Sequence, residues 1–180
     1  MALKTPPALP EPIDARIARV TGKAREGRKN QNDLQNLPRL DDMYSLLLVD
    51  DEPDILAAWQ FILTSEGYDV RCAHNGAEAL DTLKVHLPDL VITDWTMPTM
   101  NGAELCRRLG AEPRLTTIPV LVHSAVPLGD SMHPTWTRFL QKPCPLPLFL
   151  STVGQLCAEQ RAARRARLRL VANGRAAGGF

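Results

Sequence analysis

A chain of 180 residues, 44% of them hydrophobic and with a formal net charge of +1, has room for one domain plus extras, or at most two small domains. Near-neutral charge gives no global reason to expect a polyanionic partner. No apolar stretch approaches the ~18 residues of a membrane span, and Met1 to Pro7 lacks the apolar core of a secretion signal. A cytoplasmic protein without membrane contact is expected. Cys72, Cys106, Cys144 and Cys157 lie far apart with no C-x-x-C pair, so small buried thiols are expected rather than a zinc site or a disulfide framework.

Residues 1–43 are rich in Pro, Asn, Gln and charge and cannot bury enough apolar surface to offset chain entropy. They read as a mostly disordered arm, with Ile13, Ile17 and Val20 spaced for a transient helix. Ser45 to Val49 is a compact apolar run that reads as a buried strand. Asp50, Asp51 and Glu52 follow, and Pro53 suits the first turn of a helix. Ile55, Leu56, Trp59, Ile62 and Leu63 recur at helical spacing, and Gly67 ends that helix. Tyr68 to Ala73 reads as a second strand, Asn75-Gly76 as a turn, and Ala77 to about Val85 as a helix.

Leu90 to Ile92 is a third buried strand. It ends at Asp94, with Pro98 shortly after. A loop through Met100 leads to a helix from about Gly102 to Gly110. Pro119 to Val122 is a fourth strand with His123-Ser124-Ala125 at its end, and Arg138 to Leu140 a short fifth strand followed by Lys142-Pro143. Phe149, Leu150, Val153, Leu156 and Cys157 make the stripe of a last helix, which continues into the arginine-rich segment 161–169. No second folded domain is expected beyond residue 160.

Alternating strands and helices with short connections predict an α/β fold, a parallel sheet with helices on both faces. Asp50/Asp51, Asp94 and Ser124 then fall at the strand C-termini, where open α/β sheets place their chemistry. Lys142 joins them after the fifth strand. Three carboxylates that close need a cation. Oxygen ligands suit a hard ion such as magnesium. Carboxylate, magnesium, hydroxyl and lysine together suit phosphoryl transfer, with Asp94 attacking phosphorus. Duller readings stand beside this: Asp94 as a turn former, Asp50 and Asp51 as helix caps, Ser124 as a loop serine, Lys142 as a surface lysine, Phe139 as core. His123 and Ser124 are neighbours on a strand and point to opposite faces, so they do not form a nucleophile pair.

Leu48-Val49-Asp50-Asp51-Glu52, Asp94-Trp95-Thr96-Met97-Pro98, His123-Ser124-Ala125 and Lys142-Pro143 together resemble the receiver domain of bacterial two-component response regulators, over about residues 44–160. The resemblance implies a flavodoxin-like, doubly wound five-stranded sheet of order 2-1-3-4-5. It implies that Asp94 takes a phosphoryl group from a sensor histidine kinase or a histidine phosphotransfer protein. Asp51, Asp94 and the Thr96 carbonyl would bind Mg2+ directly, and Asp50 largely through water. Ser124 would hydrogen-bond the phosphoryl group, Ala125 would leave it room, and the Lys142–Pro143 peptide would be cis. Phe139 would be the aromatic that turns inward when Ser124 moves.

The chain departs from that pattern between Ser124 and Lys142. The segment is short and carries Pro127, Gly129 and Pro134. The helix that the family places there is expected to be abbreviated, irregular or absent, which alters the usual output and homodimer surface. Thr96 and Val126 flank the approach of a hydrolytic water, and Val126 cannot orient it. Slow self-dephosphorylation is expected of a phosphoacceptor that is otherwise not an enzyme. Alternatives are a phosphorylation-independent scaffold, or nucleic-acid contact through residues 161–169. A solvated extension of the last helix is the plainer reading of that segment. An aspartyl-phosphate hydrolase is set aside, because its paired acids belong two residues apart on the first strand.

Overall fold

The computed structural model describes residues 43–128 and 136–176, with side chains described as far as residue 170. The expected arm therefore lies outside the described residues, apart from Met43. The described chain runs β1 (Ser45–Val49), α1 (Pro53–Ser65), β2 (Asp69–Ala73), α2 (Gly76–Val85), β3 (Leu90–Thr93), α3 (Gly102–Ala111), β4 (Val120–Ser124), β5 (Arg138–Gln141) and α4 (Leu146–Ala176). All paired strands are parallel, in the order β2-β1-β3-β4-β5.

The apolar runs are unbroken because the central strands are covered on both faces. Successive residues point to opposite sides of the sheet. Leu47, Val49, Val91, Val120 and Val122 meet Leu83, Leu105 and Leu109 of α2 and α3. Leu46, Leu48, Leu90, Ile92 and Leu121 meet Leu56 and Leu63 of α1 and Phe149, Val153 and Leu156 of α4. Each layer buries about a dozen large side chains, and each fully buried one contributes about 1.5–3 kcal/mol.

The helix ends are set locally. Pro53 opens α1 behind Glu52, and Gly67, at φ +89°, turns the chain after it. Asn75 is the N-cap of α2, its side-chain oxygen accepting from the Ala77 and Glu78 N–H groups at 3.0 Å. Glu78 reaches back to accept from the His74 N–H at 2.9 Å and from the Asn75 side-chain amide at 3.0 Å, tying the first turn to the chain before it. The Asn75-Gly76 turn expected from sequence is thus the start of the helix itself. Asn101 caps α3 in the same way, accepting from the Glu104 N–H at 2.9 Å.

Among the described residues no helix lies between β4 and β5. Pro127 is in irregular backbone, and Gly129 and Pro134 fall outside the described residues. Trp95, Leu128, Trp136 and Phe139 pack against the α2–α3 layer beside this connection. The Trp95 and Trp136 rings meet edge-on at 5.3 Å. All four cysteines are free; Cys106 and Cys157 are buried as expected, whereas Cys72 and Cys144 are only half-buried. Among the described residues no helix is long and apolar enough to cross a membrane.

One tie joins the start of the described domain to the far part of α4. The Arg161 guanidinium donates to the Met43 carbonyl at 2.7 Å, lies 3.8 Å from the Tyr44 ring centre, and sits 3.4 Å from Asp89 Oδ2. Asp89 also accepts from the Ser45 N–H at 3.0 Å.

Phe149 is fully buried and stacks on Trp59 with ring centres 4.0 Å apart. Phe149→Ala is expected to cost about 3–5 kcal/mol of stability. Urea denaturation should show a lower midpoint at an unchanged slope.

Candidate functional site

β1 and β3 are paired in register, Val49 opposite Thr93, so Asp50 and Asp94 leave adjacent strands side by side. The Asp94 N–H donates to the Val49 carbonyl at 2.8 Å and the Asp50 N–H to the Ala73 carbonyl at 3.2 Å. Both carboxylates are therefore held by the ends of the sheet ladder. Asp50 is 4% exposed. Its Oδ1 accepts from the Glu52 N–H at 3.1 Å, and its Oδ2 from Lys142 Nζ at 2.7 Å. Asp94 Oδ2 accepts from the Thr96 N–H at 3.0 Å, and its Oδ1 lies 3.4 Å from the same ammonium.

Lys142 reaches this point because β5 pairs with β4 and its own N–H donates to the Ser124 carbonyl at 2.8 Å. The Lys142–Pro143 peptide is cis. Burial works against the ammonium, but the hydrogen bond to Asp50 and the charges of Asp50 and Asp94 outweigh it, so the Lys142 pKa is held above its ordinary value. The ammonium is a fixed positive charge between two carboxylates.

The other expected residues are placed as follows. Ser124 is buried at the end of β4, and its Oγ accepts from the Val126 N–H at 3.4 Å. Asp51 is half-buried and makes no hydrogen bond or ion pair among the described residues, so it stands outside the Asp50–Lys142–Asp94 chain. Thr96 is exposed. Phe139 is half-buried with Trp95, Leu128 and Trp136. Lys142 thus unites Asp50 with Asp94, and neither Asp51 nor Phe139 touches them through a polar contact.

The metal expectation can be tested on the donors. Asp50, Asp51 and Asp94 offer only oxygen and, with Lys142, leave the rim two charges negative, which suits a hard divalent ion. Among the described residues no three carboxylate, imidazole or thiolate groups converge into a ready-made metal centre. A preformed cage is not required by magnesium, which keeps several waters and takes only one or two carboxylates plus phosphate oxygens. The donor set fits that ion.

Two further residues matter here: Gly102, which the sequence marks only as a helix start, and His123, which it places on the strand face opposite Ser124. A Cβ on Gly102 would stand 2.2 Å from the Asp94 carbonyl oxygen and 3.0 Å from Trp95 Cα. Only glycine allows α3 to begin hard against the end of β3. Its N–H donates to the Trp95 carbonyl at 3.0 Å. The other is His123, buried on the opposite face from Ser124 between Trp59 at 5.5 Å and Phe149 at 5.0 Å. Cys144 Sγ lies 3.4 Å from its Nε2. Burial, reinforced by the Lys142 charge and opposed by Asp50 and Asp94, lowers its pKa to about 4.

An open parallel α/β sheet with an acid–lysine rim at the carboxyl ends of its strands is the flavodoxin-like class. Residues 46–153 match the family model of the response regulator receiver domain, and the chain belongs to that family. Response regulator Rre1 of a Synechocystis species is 37% identical over 123 residues, 66% of this chain and 53% of that one, so the match spans about half of that relative. The signal receiver domain of a signal transduction histidine kinase from Syntrophus aciditrophicus is 33% identical, with a TM-score of 0.61 over 64% of this chain and 91% of that one. Response regulator protein TrrA from Thermotoga maritima, solved in complex with Mg(2+)-BeF, is 28% identical, with a TM-score of 0.59 over 63% of this chain and 99% of that one.

Unfolding would return His123 from about 4 to its ordinary 6.5. The unfolded chain therefore binds the extra proton between those values. Stability is complete above about pH 6.5 and is lost as pH falls through that window. Between pH 7 and pH 5 the loss from this group is about 2 kcal/mol. Urea titrations of wild type and His123→Leu check this: the variant should lose most of that slope.

Proposed function

We propose that Asp94 accepts a phosphoryl group from the phosphohistidine of a sensor histidine kinase or a histidine phosphotransfer protein. The loaded domain then signals through protein–protein contact. The observation that carries this reading is the Lys142 ammonium, 2.7 Å from Asp50 and 3.4 Å from Asp94. It is positioned to follow negative charge from the Asp94 carboxylate onto an incoming phosphoryl oxygen.

In the transfer, an Asp94 carboxylate oxygen attacks phosphorus. The new O–P bond forms as the P–N bond to the imidazole breaks, and the imidazole leaves with the electron pair. Asp50 holds the lysine in place and keeps it charged. The buried Ser124 hydroxyl has one long partner, the Val126 N–H, so it is free to turn and donate to a phosphoryl oxygen. Asp50, Asp51, Asp94 and the Thr96 carbonyl would hold Mg2+, which supplies neutralisation of the equatorial oxygens when bound. The Mg(2+)-BeF complex of TrrA supports that part of the reading. Phe139, beside the β4–β5 connection, is the aromatic proposed to respond when Ser124 moves.

Incubation with acetyl phosphate and magnesium, read by intact mass, tests the proposal. One phosphoryl group should appear on wild type and none on Asp94→Asn, and chelation of magnesium should suppress it. An unmodified wild type would favour a scaffold that works without phosphorylation.

Val126 is exposed beside the site and offers no side-chain hydrogen bond to a hydrolytic water. Once formed, the acyl phosphate should persist for minutes or longer in purified protein. A decay time of seconds, followed by mass spectrometry, would remove that expectation.

A further inference from the structure

We propose that the exposed stretch of α4 from Ala162 to Leu170 is a docking helix for duplex DNA, bound through its phosphates. This inference stands on α4 alone and does not depend on chemistry at Asp94. The near-zero net charge hides a segregation. Residues 44–160 carry fourteen acidic and seven basic residues, whereas residues 161–180 carry six arginines and no acid. An acidic body repels a polyanion, and a basic helix attracts one.

The structure shows what that segment is. α4 continues without a break to Ala176, and every residue from Ala162 to Leu170 is exposed. Leu168 and Leu170 are 63% and 72% exposed. Among the described side chains of α4, Arg161 is the last held by the body, through Met43, Tyr44 and Asp89. Arg164, Arg165, Arg167 and Arg169 make no ion pair among the described residues. Arg164 and Arg167 are three positions apart and Arg165 and Arg169 four, spacings at which like charges repel along a helix. Among the described residues nothing covers this stretch or offsets that repulsion, and such a helix gains from an external anion.

The arrangement of the arginines selects the partner. At about 100° per residue, these four spread over roughly 200° of the helix circumference. Ala162, Ala163, Ala166 and Leu170 fill the remainder. An apolar side built of alanines and one leucine is too small to seat a helix in a lipid surface, which takes Trp, Phe or several Leu. Arginines on both flanks of a helix about 10–12 Å wide instead suit a groove about 12 Å across, with phosphates on both walls. Arginine binds phosphate in a bidentate fork. The deep, narrow major groove of RNA duplexes does not admit such a helix. The Arg161 tie lies at the Asp89 end of β3 and Asp94 at the other, so DNA on the helix leaves the acidic rim uncovered.

The test is fluorescence anisotropy of a labelled 20-base-pair DNA duplex of arbitrary sequence, titrated with the full chain at several salt concentrations. Binding is expected, with log K falling against log salt at a slope of about −3 to −4, as four phosphate contacts predict. The combined variant Arg164→Gln, Arg165→Gln, Arg167→Gln, Arg169→Gln should bind at least tenfold more weakly, with a flatter slope. These positions are exposed, so the urea midpoint of the variant should match wild type. Failure to bind DNA at low salt would overturn the proposal, as would undiminished binding by the variant. So would tighter binding to vesicles containing phosphatidylglycerol, or arginine-dependent self-association in place of DNA binding.

Discussion

A buried carboxylate beside another carboxylate is an unstable arrangement unless a cation stands between them. Here that cation is the Lys142 ammonium, and it comes from 92 residues further along the chain than Asp50. Isolating Asp50 at 4% exposure without a partner would carry a heavy desolvation cost. The pairing therefore constrains the fold: β5 must lie next to β4, and the residue after β5 must turn back over the ends of β1 and β3. The sheet order β2-β1-β3-β4-β5 satisfies this.

The same constraint explains why the site is small. The ladder ends at Val49 and Thr93, and the next residue on each strand supplies a carboxylate. Gly102 lets α3 start in contact with the Asp94 carbonyl. No mobile segment has to close for Asp50, Asp94 and Lys142 to meet. Under the proposed function, a partner would add only the phosphoryl group to this preset arrangement, and magnesium would take its remaining ligands from water and phosphate.

Much of this was legible because both layers demand apolar strands. Three short runs of Leu, Val and Ile, in β1, β3 and β4, are each followed by polar residues and read as strands covered on both faces. Asp50, Asp94 and Lys142 could be put on one rim from that pattern alone. The remainder depended on tertiary contact. Asn75-Gly76 serves equally as a turn or as a helix start, and the Glu78 partner decides for the helix. Gly102 looks like any helix-initiating glycine until the neighbouring strand is in place. Strand alternation puts His123 on the face opposite Ser124, but that its ring meets Trp59 and Phe149 depends on where α1 and α4 pack. Asp51 makes no polar contact with Lys142 among the described residues, and its expected role as a magnesium ligand rests on the family resemblance.

His123 and Ser124 are consecutive residues at the end of one strand, and they face different layers. Ser124 borders the acidic rim; His123 is wedged against the Trp59–Phe149 stack. One peptide unit separates the two side chains. A backbone shift that drew the serine toward the rim would also move the imidazole relative to the indole, and the emission of Trp59 would then serve as an optical gauge of events on the opposite side of the sheet.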